Sequence, residues 1–194
     1  SLVEFSLEGA NVAGGDMLCG GEMTFFIDPV ARARQVHIFG AGHCGVALAR
    51  AAHDAGFAVF MYDNREGIAV NDDIPPGTPV VTGDYAEMAA ALEPGDTVYV
   101  AIMTHAHDAD AIVLENVLRT DVAYIGMMAS ARKKKEIFSH LVSRGVSEDT
   151  LARVHSPIGL DINAETPEEI AVSVVAELIA CARGPSAETP DEAS

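Results

Sequence analysis

Six residues, Gly40-Ala41-Gly42-His43-Cys44-Gly45, limit what this chain can fold into more than any other stretch. They follow an apolar run at residues 36–39 and open a helical pattern. Glycines at this spacing between a strand and a helix meet three separate steric demands. Gly40 permits the tight turn, Gly42 lets a pyrophosphate approach the backbone, and Gly45 lets helix and strand pack closely. The helix start offers free N–H groups and a favourable dipole to an anion, with His43 among them. Asp63 stands at the end of the next expected strand, where a ribose-binding acid belongs. It favours an NAD-type ribose, while Arg65 two residues on leaves a 2′-phosphate open.

From Val36 onward the pattern alternates between strand and helix, the mark of a parallel sheet. Strands are expected at 36–39, 58–62, 79–82, 97–103 and 122–126. Helices are expected at 45–55, 85–92, 108–118 and 131–143, and a last one opens at Thr166-Pro167-Glu168-Glu169. There Thr166 suits the N-cap, Pro167 the first turn and Glu169 the reciprocal cap. Ile170, Val174, Leu178 and Cys181 recur at helical spacing and are expected on its core face. The fold class is therefore α/β, a Rossmann-like open parallel sheet with helices on both faces, preceded by a short β segment. Residues 34–183 form that domain. Residues 1–30 read as the remnant of an N-terminal domain, or as strands added to a partner sheet. Residues 184–194, acidic with two prolines, read as a disordered tail. Because the chain opens at Ser1 within strand-like sequence, it reads as a fragment or a processed product.

Charge narrows the function classes. Lys and Arg total 12 against 29 Asp and Glu, a formal net charge of −17. Such a chain repels nucleic acid and anionic membranes, so neither is an expected partner. Three cysteines with no CxxC pair give no disulfide framework and no structural zinc site. With no long uncharged apolar run, the simplest location is the cytoplasm.

Two further stretches lie where a parallel sheet binds ligands, at the carboxyl ends of its strands. Thr104-His105-Ala106-His107-Asp108 follows the fourth strand. It reads as substrate or cofactor contact ahead of metal, with helix capping as the plain alternative. Arg132-Lys133-Lys134-Lys135, just after Ser130, contains every lysine of the chain. Cations in a first helical turn oppose the dipole, so the run is either an anion site or a solvated face. If it is an anion site, Gln at 133 and 134 leaves the ligand-free protein no less stable. Cys19, set between glycine-rich residues, is either a reactive thiol or a packing residue. The stretch His155-Ser156-Pro157-Ile158-Gly159-Leu160-Asp161-Ile162 is an apolar loop of a kind that often carries function.

Together these segments resemble the xanthine dehydrogenase accessory protein family (XdhC/CoxI). The resemblance runs in order from Met17-Leu18-Cys19-Gly20-Gly21 through the glycine loop and Thr104-His105-Ala106-His107-Asp108. It continues with Tyr124-Ile125-Gly126-Met127-Met128-Ala129-Ser130-Ala131-Arg132-Lys133, then 155–162 and Glu165-Thr166-Pro167-Glu168-Glu169-Ile170-Ala171. It implies a maturation factor that binds molybdenum cofactor (molybdopterin), assists its sulfuration and delivers it to a molybdenum hydroxylase apoenzyme. A cysteine desulfurase and further copies of the chain are the other implied partners. On that reading Gly40, Gly42, His43, Gly45, Asp63, Arg65, Thr104, His105, His107, Ser130, Arg132 and Lys133 contact the cofactor, and Cys19 meets molybdenum or sulfur. No catalytic residue is then required. The alternative is an NAD(P)-dependent oxidoreductase with His105 or His107 as acid–base group. A nucleotide-sensing module without chemistry is a third reading.

Overall fold

The structure, a computed structural model, describes residues 2–6, 22–26, 33–68 and 73–184. The chain divides into two compact units, residues 1–32 and 33–194. In the first, β1 (Leu2–Ser6) pairs antiparallel with β2 (Glu22–Phe26), Leu2 facing Phe26 in register.

The second unit is a six-stranded parallel sheet. Its elements in chain order are β3 (Gln35–Phe39), α1 (His43–Asp54), β4 (Ala58–Asp63), β5 (Val80–Thr82), α2 (Tyr85–Ala90), β6 (Gly95–Ile102) and α3 (His107–Val117). There follow β7 (Val122–Met127), α4 (Ala131–Ser143), α5 (Glu148–Leu151), β8 (Val154–His155) and α6 (Pro167–Arg183). The strand order is β5-β4-β3-β6-β7-β8. Strand order reverses between β3 and β6, which opens a crevice at their carboxyl ends. This is a Rossmann-like α/β fold.

Strand side chains alternate between two cores, as the pleat requires. Val98, Val100 and Ile102 of β6 join a core roofed by α2, α3 and α4. Tyr99 and Ala101, between them, join the opposite core under α1 and α6. On α6 the buried stripe is Ala171, Val174, Val175 and Leu178. Cys181, expected on that face, is exposed. The apolar stripe passes instead to half-buried Ala182, leaving the thiol at the margin. The expected capping box is present, with Thr166 Oγ1 accepting from the Glu169 N–H and Glu169 Oε2 accepting from the Thr166 N–H. Helices α1 and α3 begin at His43 and His107, slightly earlier than the residue pattern implies.

A buried histidine ties β3 to β4. The His37 ring stacks on Phe60 at 4.8 Å, and its Nδ1 lies 2.9 Å from the Tyr62 hydroxyl. Burial holds its pKa down at about 4. The unfolded chain binds the proton from about pH 6.5 downward, so the native state binds fewer protons between those values. The neutral ring's contribution is complete above pH 6.5 and is lost as pH falls toward 4. Denaturant titrations at pH 7 and pH 4 are expected to show wild type losing about 3 kcal/mol more than His37→Gln, from about 1.4 kcal/mol per pKa unit.

Candidate functional site

The loop from β3 to α1 is shaped by contacts that only glycine allows. Gly40 has φ +116°, and a Cβ there would lie 2.3 Å from the Met103 carbonyl oxygen. At Gly45 a Cβ would fall 1.8 Å from the Gly40 carbonyl oxygen. Helix, loop and the end of β6 are thus packed backbone to backbone. At Gly42 a Cβ would meet nothing within 4 Å. Gly42 is the N-cap of α1 and supplies no side-chain cap. Its bare backbone faces open space beside the first-turn amides, which is the shape a phosphate needs. His43, the first helical residue, is exposed there.

Beside this cradle stands Asp63, fully buried. Its Oδ2 accepts the Ala41 N–H at 2.7 Å, which fixes the glycine loop to β4. Arg65 grips the same carboxylate with a fork, Nε to Oδ1 and Nη2 to Oδ2, both 2.8 Å. The Arg65 amide adds a bond to Oδ1 at 3.0 Å. Burial alone raises the carboxyl pKa, but the Arg65 bonds and the Ala41 amide outweigh it and hold it below the usual range. The geometry therefore differs from the simple ribose-facing acid. Both oxygens are engaged, and the surface group is the Arg65 side chain, 41% exposed. A shallow groove of about 370 Å³ joins Gly42, His43, Arg50, Arg65, Asp73 and Glu168.

Across the switch point a second buried carboxylate organises the next loop. Asp110, fully buried in the first turn of α3, accepts the Thr104 N–H at 3.0 Å through Oδ1. Thr104 Oγ1 lies 2.6 Å from the same oxygen and 2.9 Å from the Ala106 carbonyl. Lys133 Nζ pairs with Asp110 Oδ2. Thr104, expected to touch ligand, is buried and turned into its own loop. Its exposed neighbour His105 stands at the strand edge, and His107 lies 3.6 Å from Glu136.

This arrangement corrects the reading of the basic run as a concentrated cation. Lys133 neutralises Asp110, and Lys134 Nζ donates to the Ser156 carbonyl at 2.8 Å. Arg132 pairs with Glu136 across one helical turn. The Ser130 hydroxyl caps α4 by accepting from the Lys133 N–H. Three of the four basic side chains are thus committed within the domain. Asp110 escaped the residue-level reading because an acid in a first helical turn is explained well enough by the dipole.

The loop at 155–162 is held from α6. One Glu177 carboxylate accepts the Gly159 N–H at 2.6 Å and the Tyr124 hydroxyl at 2.5 Å through Oε2, and lies 2.8 Å from His155 Nδ1 through Oε1. Ser173 Oγ donates to the Leu160 carbonyl at 2.7 Å. Between α4 and that loop, where no element was expected, the chain forms α5, and the short β8 then takes in the loop's first residue, pairing with β7 through Val154 and His155. Two residues are too few to show a strand period. Cys19 lies outside the described residues. Among the described residues, no group of three or more His, Cys, Asp or Glu is placed to hold a metal, and no helix is long and apolar enough to cross a membrane.

The profile of the XdhC Rossmann domain matches residues 36–178. The Escherichia coli K12 protein YqeB is 34% identical over 172 residues, covering 88% of this chain and 31% of its own length. A Bacillus subtilis protein named as a probable xanthine dehydrogenase component is 33% identical over 156 residues, 79% of this chain and 44% of its own. The chain thus spans less than half the length of these curated relatives. A crystal structure described as a xanthine dehydrogenase from Bacillus halodurans superposes with a TM-score of 0.69 at 28% identity, over 87% of this chain and 48% of that one.

The Asp110–Lys133 pair generates a stability test. Lys133→Gln leaves a buried carboxylate without its cation, so the ligand-free protein is expected to lose about 3–5 kcal/mol. That reverses the expectation drawn from the anion-site reading of the run. Asp110→Asn in the same background is expected to recover part of the loss. Urea melts of the two single variants and the double variant measure both effects.

Proposed function

The chain belongs to the XdhC family, and from that membership we propose that it is the cofactor-holding domain of an accessory factor for a xanthine dehydrogenase-type molybdenum hydroxylase. The single observation that carries this reading is the open backbone at Gly42, at the switch point of a sheet whose sequence matches the XdhC Rossmann domain. The names of the Bacillus relatives associate this kind of domain with xanthine dehydrogenase.

The residues present suit a phosphate-bearing cofactor. Gly42 and the first-turn amides of α1 would take the phosphate, helped by the helix dipole. Gly40 and Gly45 keep that backbone at the surface. Arg65 and the exposed His43 would flank the ligand, and His105 would face it from the β6 edge. When bound, molybdenum cofactor supplies a pterin phosphate for this cradle and the metal centre that the partner enzyme uses. The chain's own part is to bind, orient and shield it. No residue is asked to break a bond, so the role is delivery rather than catalysis. A cysteine desulfurase and the hydroxylase apoenzyme are the partners this role needs, and Cys19 is the thiol suited to meet sulfur.

The test uses cofactor released from a molybdenum hydroxylase and incubated with the protein. The pterin is read by fluorescence after gel filtration and oxidation. Retention with wild type and loss with Gly42→Val supports the reading. A side chain at position 42 has open space around it, so melting temperature is expected to stay within a few degrees of wild type. Pterin that elutes free of the wild-type protein, or is retained equally by the variant, overturns the assignment.

A further inference from the structure

We propose that Arg65, held over Asp63, is a recognition point for a second anionic group, and that the site prefers a nucleotide phosphorylated on its ribose to one with a free 2′-hydroxyl. The inference rests on the reading that Gly42 receives a phosphate, and it specifies the ligand class at the other end of the same groove.

The argument begins with what a ligand meets at the end of β4. An acid there ordinarily accepts ribose hydroxyls, and an arginine nearby ordinarily accommodates a 2′-phosphate. Here both occur two residues apart, and the structure gives them unequal access. The Asp63 side chain is 0% exposed and the Arg65 side chain 41% exposed. Of the carboxylate's contacts, the Ala41 and Arg65 amides belong to the backbone. Only the guanidinium fork can be displaced without moving the main chain. A plain ribose seeking Asp63 must remove two charge-assisted bonds and replace them with neutral hydroxyl donors, which are weaker. Its binding therefore begins with a loss.

A phosphate avoids that exchange. Guanidinium has five N–H donors, and the fork on Asp63 uses two. Three are left for an oxyanion while Asp63 stays neutralised. Arg65 also lines the groove that contains Gly42, so one extended ligand can reach both. The groove also holds two acids and a second arginine, Arg50. Asp73 lies 3.8 Å from Arg50, and Glu168 stands on the wall formed by α6. Burial and then the charge of Asp63 push the nearby Tyr85 phenol up to about 12, so it adds no negative charge there.

Calorimetry with NADP+ and NAD+ on the whole chain tests the proposal. Adenosine 2′,5′-bisphosphate and inorganic phosphate are run alongside, to separate a sugar phosphate from any phosphate. Wild type is expected to bind NADP+ at least tenfold more tightly than NAD+, and the bisphosphate more tightly than inorganic phosphate. Arg65→Ala is expected to lose that preference and to improve NAD+ binding by exposing Asp63. Should Arg65→Ala fail to fold, Asp63→Asn decides. It keeps an acceptor for the Ala41 amide and frees the guanidinium, so the NADP+ preference is expected to persist. Equal or tighter binding of NAD+ by wild type, a preference unchanged in folded Arg65→Ala, or loss of the preference in Asp63→Asn overturns the inference. Binding of neither dinucleotide also overturns it. That result leaves the Gly42 reading to its own pterin-retention test, so the two can fail separately.

Discussion

The first turn of α1 rests directly on the carbonyl of Gly40. A Cβ on Gly45 would stand 1.8 Å from that oxygen, so no other residue permits the approach. Much follows from this contact. It brings the helix close enough for Val46, Leu48, Ala49 and Ala52 to reach the sheet and meet α6. It turns the N-terminal amides toward the crevice between β3 and β6. It also presses the loop against Met103, which links the ends of the two strands that flank the switch point. Each glycine therefore serves a different surface, with Gly40 and Gly45 facing protein and Gly42 facing outward.

Two buried carboxylates hold the crevice on either side. Asp63 ties the glycine loop to β4, and Asp110 ties the loop after β6 to the start of α4. Each carries its own cation, Arg65 or Lys133. The two cations differ in a way that matters. A lysine is a point charge, and Lys133 is only 23% exposed, so it serves as a counter-ion. Arginine is a flat fork with donors to spare, and Arg65 reaches the surface. The same bridging logic thus gives an internal strut at one strand end and a ligand-facing group at the other.

What the residues revealed in advance follows the range of the forces involved. The alternation of β3 to β7 with helices, the glycine spacing and the Thr166–Glu169 cap are local patterns, and all are visible without coordinates. Fold class and the position of the cradle were legible for that reason. Side-chain direction was not. Nothing near Asp63 in sequence shows that its carboxylate points into the loop rather than outward. The partnership of Asp110 with Lys133 joins residues far apart in the chain, and the run looked like one cation source because the acid that Lys133 meets lies 23 residues earlier. The short β8 is paired only because β7 offers an edge, which two residues cannot announce.

Glu177 gathers Tyr124, His155 and Gly159 onto one carboxylate, so a single side chain late in α6 fastens β7, β8 and the loop between β8 and α6. The final helix is consequently a keystone rather than an appendage. An engineer seeking the smallest portable version of this domain has no freedom to trim α6 ahead of that residue. Any shorter cut releases the loop and its attachment to β7.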